Sequence, residues 1–284
     1  MVYVDMILNN NSTINVVNGV KYLTFNRLSE ISFIKHAFST KEGGVSKNEF
    51  KSMNLSFSRG DIEEDVIENY HRFFDACGFS LDNIVMSDQV HDTKVFVVTK
   101  DVVKSLSTIL KERKLTNIDG MITNVPNVPL ITYYADCVPL YFVDVKNKAI
   151  GLSHSGWRGT VCGMGAKTVE AMVDEYNSNP LDIIAVIGPS ICQKCYEVSK
   201  EVIDAVDERY KNIFETSLIY IAKDNGKYQL DLWMLNKLIL KSAGLLEDNI
   251  IISDVCTSCN SDLLFSHRVT NGKRGNLAAI MEII

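Results

Sequence analysis

Three side chains in this sequence are of types that bind transition metals. They are His91 at the end of "SDQVH", Cys137 in "YYADCVPL" and His154 in "GLSHSGWRG", and each lies at the end of a predicted β-strand. Their separations are too long for a zinc finger or ribbon but fit a site assembled from different strands. Two imidazoles and one thiolate leave the fourth position of a tetrahedral zinc open, as in catalytic zinc sites. The sequence therefore predicts an open zinc centre, and copper would accept the same ligands.

Each of these residues also has an alternative interpretation. A buried histidine is commonly held by hydrogen bonds, and a free cysteine behaves as a small hydrophobic residue. A cysteine hydrolase would use Cys137 as the nucleophile and His154 as its base. The pairs "CQKC" (192–195) and "CTSC" (256–259) offer a closed four-cysteine zinc site, but the gap between them far exceeds that of zinc ribbons.

The turn after His154 has the composition of an anion site. Arg158 stands at the entrance of a predicted helix, where free backbone N–H groups and the helix dipole favour negative charge. A guanidinium beside them suits phosphate or carboxylate. Gly156 and Gly159 would allow a close backbone approach, and Trp157 either stacks on a planar ring or packs in the core. The alternative for Arg158 is a surface ion pair.

The composition excludes several partners. The chain has 284 residues, 23% of them charged, and a formal net charge of −6, so nucleic acid and anionic membranes are not expected partners. No run of 18 apolar residues predicts a membrane span. The first residues, "MVYVDMILNNNSTINVV", lack the pattern of a signal peptide, and the odd number of cysteines, seven, does not suggest a disulfide framework. We therefore expect a cytoplasmic protein.

Short strands and a few amphipathic helices have to position these residues. A hairpin is predicted from "VYVDMIL" (2–8) and "VKYLTF" (20–25) around the polar "NNNST". Further strands are predicted at 83–91, 93–99 and 249–256, and apolar runs rich in β-branched and aromatic residues lie at 120–123, 129–145, 149–155 and 183–190. Helices are predicted at 61–78, 102–114, 161–177, 199–215 and 231–243, and Gly78 is placed to end the first of them. Strands and helices do not alternate strictly, which favours an α+β fold over a doubly wound parallel sheet. We find no linker or repeat and expect one domain over residues 1–284.

Eight motifs in a fixed order make the sequence similar to a known family. They are "HAFSTKEGGVS" (36–46), "QVHDTKV" (89–95), "IDGMIT" (118–123), "ADCVPL" (135–140), "HSGWRGT" (154–160), "IGPSICQKCYEV" (187–198), "CTSC" (256–259) and "LFSHR" (264–268). Together they resemble the YfiH-type purine nucleoside phosphorylases, also labelled polyphenol oxidases or laccase-domain proteins. The resemblance covers almost the whole chain.

The resemblance implies an α+β fold of mixed β-sheets in a layered sandwich with flanking helices. It also implies a zinc bound by His91, Cys137 and His154. The implied reaction is phosphorolysis of adenosine, inosine and methylthioadenosine to free base and ribose 1-phosphate, with adenosine deamination as a second activity. The resemblance also implies two alternative functions. One is a copper-linked polyphenol oxidase activity, and the other is a role in editing peptidoglycan precursors. The expected partners are a purine nucleoside and phosphate, and the expected state is a monomer.

Within this reaction we assign further candidate roles. For deamination, the metal would activate water for attack on C6 of adenine, and Asp136 is the first candidate to relay protons, ahead of Asp119 and Glu197. Candidate contacts to phosphate or ribose are Lys41, Arg158, Trp157, Ser266 and Arg268, and His267 is a candidate base or part of a C-terminal strand. The sequence departs from the family motifs at Lys41 and Val269, where arginines are expected. The motifs therefore do not identify which basic residue would bind phosphate.

Overall fold

Seventeen strands and eight α-helices form the part of the chain that this computed structural model describes, residues 6–284. The strands are β1 (Met6–Asn9), β2 (Ser12–Val17), β3 (Val20–Phe25), β4 (Ile34–Ser39), β5 (Val85–Asp88), β6 (Val95–Val97), β7 (Lys114–Thr116), β8 (Gly120–Thr123), β9 (Leu130–Tyr134), β10 (Val138–Asp144), β11 (Ala149–Ser155), β12 (Ile183–Ile187), β13 (Glu197–Val198), β14 (Tyr220–Ala222), β15 (Tyr228–Leu230), β16 (Ile250–Ile252) and β17 (Leu277–Ile283). The helices are α1 (Asn26–Ser29), α2 (Glu63–Cys77), α3 (Lys100–Ser105), α4 (Trp157–Val161), α5 (Met164–Tyr176), α6 (Lys200–Tyr210), α7 (Leu232–Ser242) and α8 (His267–Thr270).

The strands form three sheets. The largest has eight strands in the order β1-β2-β3-β4-β17-β9-β5-β7, and the second has six in the order β16-β12-β10-β11-β8-β6. Both are mixed, because β5 runs parallel to β7 and β9, and β12 runs parallel to β16. A small antiparallel sheet has the order β13-β15-β14.

The two large sheets pack face to face, and helices cover their outer faces. Along β17, Leu277, Ala279 and Met281 lie in the layer between the sheets, whereas Ala278 and Ile280 pack on the outer side with residues of α2. This alternation follows from the two-residue period of a strand. Helices α5, α6 and α7 pack on the outer face of the six-stranded sheet. The predicted α+β sandwich of mixed sheets with flanking helices is confirmed.

Helix α2 confirms the prediction over 61–78. Three acidic residues occupy its first turn, and Val66, Tyr70, Phe73 and Phe74 are buried on one face. Gly78 follows with φ of +71°, the left-handed conformation that ends many helices and that glycine adopts without strain. Periodicity and terminal residues here indicate the same element, and the prediction is accurate to two residues.

The helix predicted over 102–114 is wrong beyond Ser105. The Thr99 hydroxyl caps α3, but Leu106 is already extended. The buried Arg113 guanidinium donates hydrogen bonds to the carbonyls of Ile84 and Ser107, and the chain then enters β7 beside β5. Contacts with the sheet edge, which local periodicity does not report, replace helical hydrogen bonds in this segment.

Three other sequence predictions need correction. The helix predicted over 161–177 is α5, which begins three residues later, and the short helix α4 before it was not predicted; Gly163, whose φ is +80°, separates the two. The predicted hairpin has an additional strand, β2, which includes the end of "NNNST", while residues 2–5 of its first strand lie outside the described residues. His267 begins the short helix α8 rather than lying in a strand.

The apolar run over 129–145 forms two strands, which belong to different large sheets. Strand β9 pairs with β17 in the eight-stranded sheet, and β10 pairs with β11 in the six-stranded one. Residues 135–137 cross between the sheets, and Asp136 has a φ of +83°. This crossing positions Cys137 between elements of both sheets.

Candidate functional site

The three candidate metal ligands converge from both large sheets. His91 lies in the loop after β5, Cys137 in the crossing between β9 and β10, and His154 in β11. The Sγ atom of Cys137 is 4.0 Å from Nε2 of His91, and the two imidazole rings meet edge to face with centroids 4.8 Å apart. One ligand atom from each residue lies within 4.8 Å of the others. A tetrahedral zinc separates nitrogen and sulfur ligands by about 3.6 Å, so the three side chains need little movement to bind it.

Asp119 fixes two of these ligands in place. It is fully buried before β8, and its carboxylate accepts hydrogen bonds from the backbone N–H groups of Val90, His91 and Asp92 at 3.0–3.2 Å. The carboxylate also lies 2.9 Å from Nδ1 of His154. An ionised Asp119 accepts the Nδ1 proton, which leaves Nε2 free for a metal. One carboxylate therefore shapes the His91 loop and orients the His154 ring.

The charges of the site favour a thiolate. Burial raises the pKa of the Cys137 thiol, but His154 and His91 beside it outweigh burial and lower the pKa to about 6. Burial lowers the pKa of His154, yet the Cys137 thiolate and Asp119 raise it to about 9. Burial also raises the pKa of Asp119, and hydrogen bonds from His154 and the backbone bring it below its ordinary value. A bound metal ion would take the place of the proton that Cys137 and His154 share.

Gly156 keeps the space beside the ligands free of side-chain atoms. A Cβ at this position would lie 3.0 Å from Cδ2 of His91 and 3.2 Å from Sγ of Cys137, closer than carbon and sulfur atoms normally pack. Thiolate and imidazole are donors that zinc and copper accept. Donor set, spacing and free space thus fit a transition metal with an open coordination position.

A cavity of about 680 Å³ opens onto this cluster. His91, Cys137 and His154 lie on its wall together with the aromatic residues Phe57 and Tyr133. Its volume is that of a pocket for a small ligand, which buries most of the ligand surface. The cavity can therefore hold an organic molecule against the three candidate ligands.

Two arginines, Arg59 and Arg274, lie on the wall of the same cavity. Burial and the nearby Arg59 lower the pKa of Arg274 to about 10, so the two cations are close enough to repel each other. The Nε atom of each is buried without a hydrogen-bond partner, and no described residue forms an ion pair with either. By contrast, Glu63 and Asp88 on this wall pair with Lys111 and Lys114. Each guanidinium donates one hydrogen bond to a loop carbonyl, of Gly272 or Gly275, and two close cations without a carboxylate partner have the chemistry to bind an anion.

Asp136, predicted to relay protons, is turned away from this cavity. One carboxylate oxygen accepts a hydrogen bond of 2.6 Å from the Thr257 hydroxyl, and the other accepts one of 2.7 Å from the backbone N–H of Arg268. Asp136 does not line the cavity. Glu197, a weaker candidate, pairs with Lys223 at the surface.

The predicted phosphate contacts lie outside this cavity. Lys41 and Ser266 line a second cavity, where the Lys41 ammonium donates to the carbonyl of Ser261 and the Ser266 hydroxyl caps α8. The exposed Arg158 guanidinium lies 4.4 Å above the Trp157 ring, and Trp157 packs against the core of the six-stranded sheet. The Arg268 guanidinium donates to the carbonyls of Cys195 and Glu197. The structure brings together the three metal ligands but not these five residues.

Sequence reasoning missed Arg59 and Arg274. Each directly precedes a glycine, in "SRGD" and "KRGN". An arginine followed by glycine in a loop is the one local sequence feature that could have indicated a binding residue at these positions. The two segments come together because Asn276 and Asn54 join them: the Asn276 backbone N–H donates to the Asn54 side chain at 2.9 Å. That contact spans most of the chain and has no local sequence signature.

Comparison with known proteins gives consistent matches over most of the chain. The family model described as "Multi-copper polyphenol oxidoreductase laccase" matches residues 35–284. Purine nucleoside phosphorylase YlmD of Bacillus subtilis is 39% identical over 247 residues, covering 86% of each chain. A protein named adenosine deaminase RL5, from an unknown prokaryotic organism, is 32% identical over 247 residues, covering 85% of this chain and 93% of that one. The crystal structure of Bacillus licheniformis hypothetical protein YfiH has a TM-score of 0.86 and 31% identity over 99% of both chains.

Proposed function

The chain belongs to the multi-copper polyphenol oxidoreductase laccase family, and from that premise we propose that it is a zinc-dependent purine nucleoside phosphorylase. It is an enzyme whose proposed substrates are adenosine, inosine and methylthioadenosine. The observation that carries the proposal is the cavity that joins the His91–Cys137–His154 cluster to two arginines for which no described residue is an ion-pair partner. A set of metal ligands alone suits many reactions, but two half-buried arginines on the same cavity wall favour an anionic co-substrate.

The metal would be held by the thiolate of Cys137 and by one nitrogen each of His91 and His154. When bound, zinc supplies a Lewis acid that polarises an oxygen or nitrogen of the substrate or activates water. With Asp119 accepting the Nδ1 proton of His154, Nε2 would be the ligand atom. Copper remains the second metal that these donors accept.

In the proposed reaction, Arg59 and Arg274 bind inorganic phosphate. An oxygen of phosphate forms a bond to C1′ of the ribose, and the bond between C1′ and the purine nitrogen breaks with its electron pair leaving on the base. The products are ribose 1-phosphate and the free purine. The aromatic side chains Phe57 and Tyr133 on the cavity wall provide faces against which a purine packs.

Adenosine deamination is proposed as a second activity of the same site, since one relative carries the name adenosine deaminase. In that reaction water adds to C6 of adenine and ammonia leaves. The role of Asp136 as proton relay stays a prediction, and the hydrogen bonds from Thr257 and Arg268 to both its oxygens do not support it.

Two alternatives use the same residues. A multicopper oxidase needs a blue-copper site and a tri-copper cluster, but the chain has five histidines, and the buried His36 ring is already bonded to the backbone N–H of Phe25. The histidines therefore do not favour the polyphenol oxidase activity. A cysteine hydrolase is favoured by one property, the lowered pKa of Cys137. A cysteine that binds a metal also needs a lowered pKa, so this property does not distinguish the two.

The test of the proposal is product release from inosine and adenosine by the purified protein. We expect free base and ribose 1-phosphate only when phosphate is present. Replacing the guanidinium in Arg274→Met should raise the KM for phosphate by about tenfold or more, since hydrogen bonds to charged groups contribute about 1.5–3 kcal/mol. Arg72→Met, at an exposed arginine of α2, is the matched control and should leave this KM unchanged. Release that does not depend on phosphate would contradict the phosphorylase.

Alkylation distinguishes the hydrolase alternative. Cys137 bound to a metal should react with iodoacetamide only after a chelator removes the metal, whereas a nucleophilic cysteine should react at once and lose activity. Equal labelling of Cys137 with and without chelator would contradict the metal site.

A further inference from the structure

A second group of cysteines lies outside the site described above. Cys192 and Cys195 of "CQKC" and Cys256 and Cys259 of "CTSC" place their sulfur atoms within 4.8 Å of one another. Sγ of Cys259 is 3.5 Å from that of Cys195 and 4.0 Å from that of Cys192. Cys256 is buried, while Cys259 is exposed at the surface of the cluster.

Parallel strands explain why pairs so distant in sequence meet. Strands β12 and β16 are parallel neighbours, and each "CxxC" follows the carboxyl end of one of them. A bridge between Ser190 and Cys256 extends this pairing, with the N–H of Thr257 bonded to the carbonyl of Ser190 at 3.1 Å. The spacing of zinc ribbons does not apply to these pairs, because helices α6 and α7 and the small sheet lie between β12 and β16 in the sequence.

The sulfur positions match a tetrahedral metal site. With zinc–sulfur bonds of about 2.3 Å, neighbouring sulfurs in a tetrahedron are about 3.8 Å apart, between the two distances given above. A disulfide would need about 2.05 Å, and all seven cysteines are free thiols. The backbone N–H groups of Cys192 and Cys259 both lie 3.3 Å from Sγ of Cys256. Such donors stabilise a thiolate.

We infer that Cys192, Cys195, Cys256 and Cys259 bind a second metal ion, a zinc, in a closed four-thiolate site. The donor set and the geometry are those of structural zinc sites, in which protein ligands occupy every position. This ion is separate from the one proposed at Cys137 and takes no part in the chemistry there.

The site lies next to the residues that shape the crossing at Cys137. Thr257, between two of the cysteines, donates the 2.6 Å hydrogen bond to Asp136, and Arg268 donates to the carbonyl of Cys195. Asp136 directly precedes Cys137 in the chain. By joining the two "CxxC" turns, the zinc would hold the segment against which this crossing packs.

Metal analysis of the purified full-length protein tests the inference. We expect two zinc ions per chain in the unchanged protein, one in Cys259→Ser and one in Cys137→Ala. Cys162→Ser, at an exposed cysteine outside both groups, is the control and should keep two. The two sites are counted separately, so loss of zinc in Cys259→Ser with none lost in Cys137→Ala would contradict the proposed catalytic centre while supporting this one.

A second measurement does not depend on the folding of Cys259→Ser. In the Cys137→Ala protein, intact-mass analysis after alkylation under native conditions should show four further labelled thiols when a chelator is added. Equal labelling without the chelator, a disulfide among these cysteines, iron in place of zinc, or zinc retained in full by Cys259→Ser would each overturn the inference.

Discussion

At the scale of single residues, Gly156 determines how closely the backbone approaches the candidate metal ligands. It stands between His154 and Trp157, and its missing side chain leaves room beside His91 and Cys137. Gly159, three residues further on, lies in α4, and a Cβ there would meet its nearest atom, a backbone oxygen, at 3.4 Å, an ordinary contact. Two glycines of one short segment thus have different structural consequences.

Gly156→Ala should therefore weaken the metal site. A methyl group 3.0 Å from Cδ2 of His91 has to displace that ring or the backbone, and overpacking of this kind typically costs about 1–3 kcal/mol. We expect zinc affinity to fall by about tenfold or more, measured by competition with a chromophoric chelator. Gly159→Ala is the control and should keep the original affinity; equal affinity in both variants would show that the ligands do not depend on this space.

The same scale shows what could be predicted of the site. Residue type alone identifies His91, Cys137 and His154 as potential ligands, and the resemblance carried by the eight motifs implies these three in place of the other histidines and cysteines. Type does not reveal that Lys41 donates to a carbonyl in another cavity, nor that Arg59 and Arg274 meet. Long-range contacts decide those positions, and they have no local pattern.

At the scale of elements, the short helix α4 depends on a buried hydrogen-bond network. The Ser155 hydroxyl lies 2.8 Å from that of Thr160 and donates to the Asn236 side chain of α7 at 3.1 Å. The Asn236 amide in turn donates to Thr160 and to the carbonyl of Leu232. This network links the end of β11, where His154 lies, to α4 and α7.

Asn236→Leu should destabilise the fold through this network. The substitution keeps the side-chain volume but leaves the Ser155 and Thr160 hydroxyls with fewer partners in a buried position, and an unsatisfied buried group costs about 1–3 kcal/mol. We expect the free energy of unfolding in urea to fall by that amount. Asn83→Leu, at an exposed asparagine, should change it by less than about 0.5 kcal/mol; a similar loss in both variants would contradict a specific role for Asn236.

Elements were predictable where local and long-range preferences agree. Helix α2 has periodic apolar residues, acidic residues at its start and Gly78 at its end, and the sheet offers the face that it buries. Residues 102–114 show a helical pattern too, but the buried Arg113 and the pairing of β7 with β5 determine their structure. Strand β2 was missed because polar residues at its start resemble a loop.

At the scale of the whole molecule, the layer between the two large sheets holds a buried imidazole, that of His36. Its ring stacks on Phe25 and meets Tyr141 edge-on, and its Nε2 accepts a hydrogen bond of 2.7 Å from the Phe25 backbone. Burial lowers the pKa of His36 from 6.5 to about 3. The sandwich is therefore closed around a neutral imidazole.

Acidification should destabilise the fold through His36. The unfolded chain binds a proton at this histidine below about pH 6.5, but the folded chain does not until about pH 3, so the stability contributed by the neutral ring is lost as the pH falls between these values. Between pH 7 and pH 5, the unchanged protein should lose about 2 kcal/mol more of its unfolding free energy than His36→Gln. Glutamine keeps an acceptor for the Phe25 N–H.

Urea unfolding of both proteins at the two pH values measures this difference, and any release of metal on acidification affects both alike. Parallel losses would show that His36 is protonated equally in the folded and unfolded chains.

The position of β17 has a consequence for how the chain is made. This strand, residues 277–283, lies between β4 and β9 and joins the two parts of the eight-stranded sheet. During synthesis the other seven strands of that sheet leave the ribosome first, with the edges of β4 and β9 unpaired. Unpaired apolar strand edges associate with other chains. Premature termination before residue 277 would therefore leave an aggregation-prone product and not a shortened enzyme, and nascent chains should need protection by chaperones until their last strand is inserted.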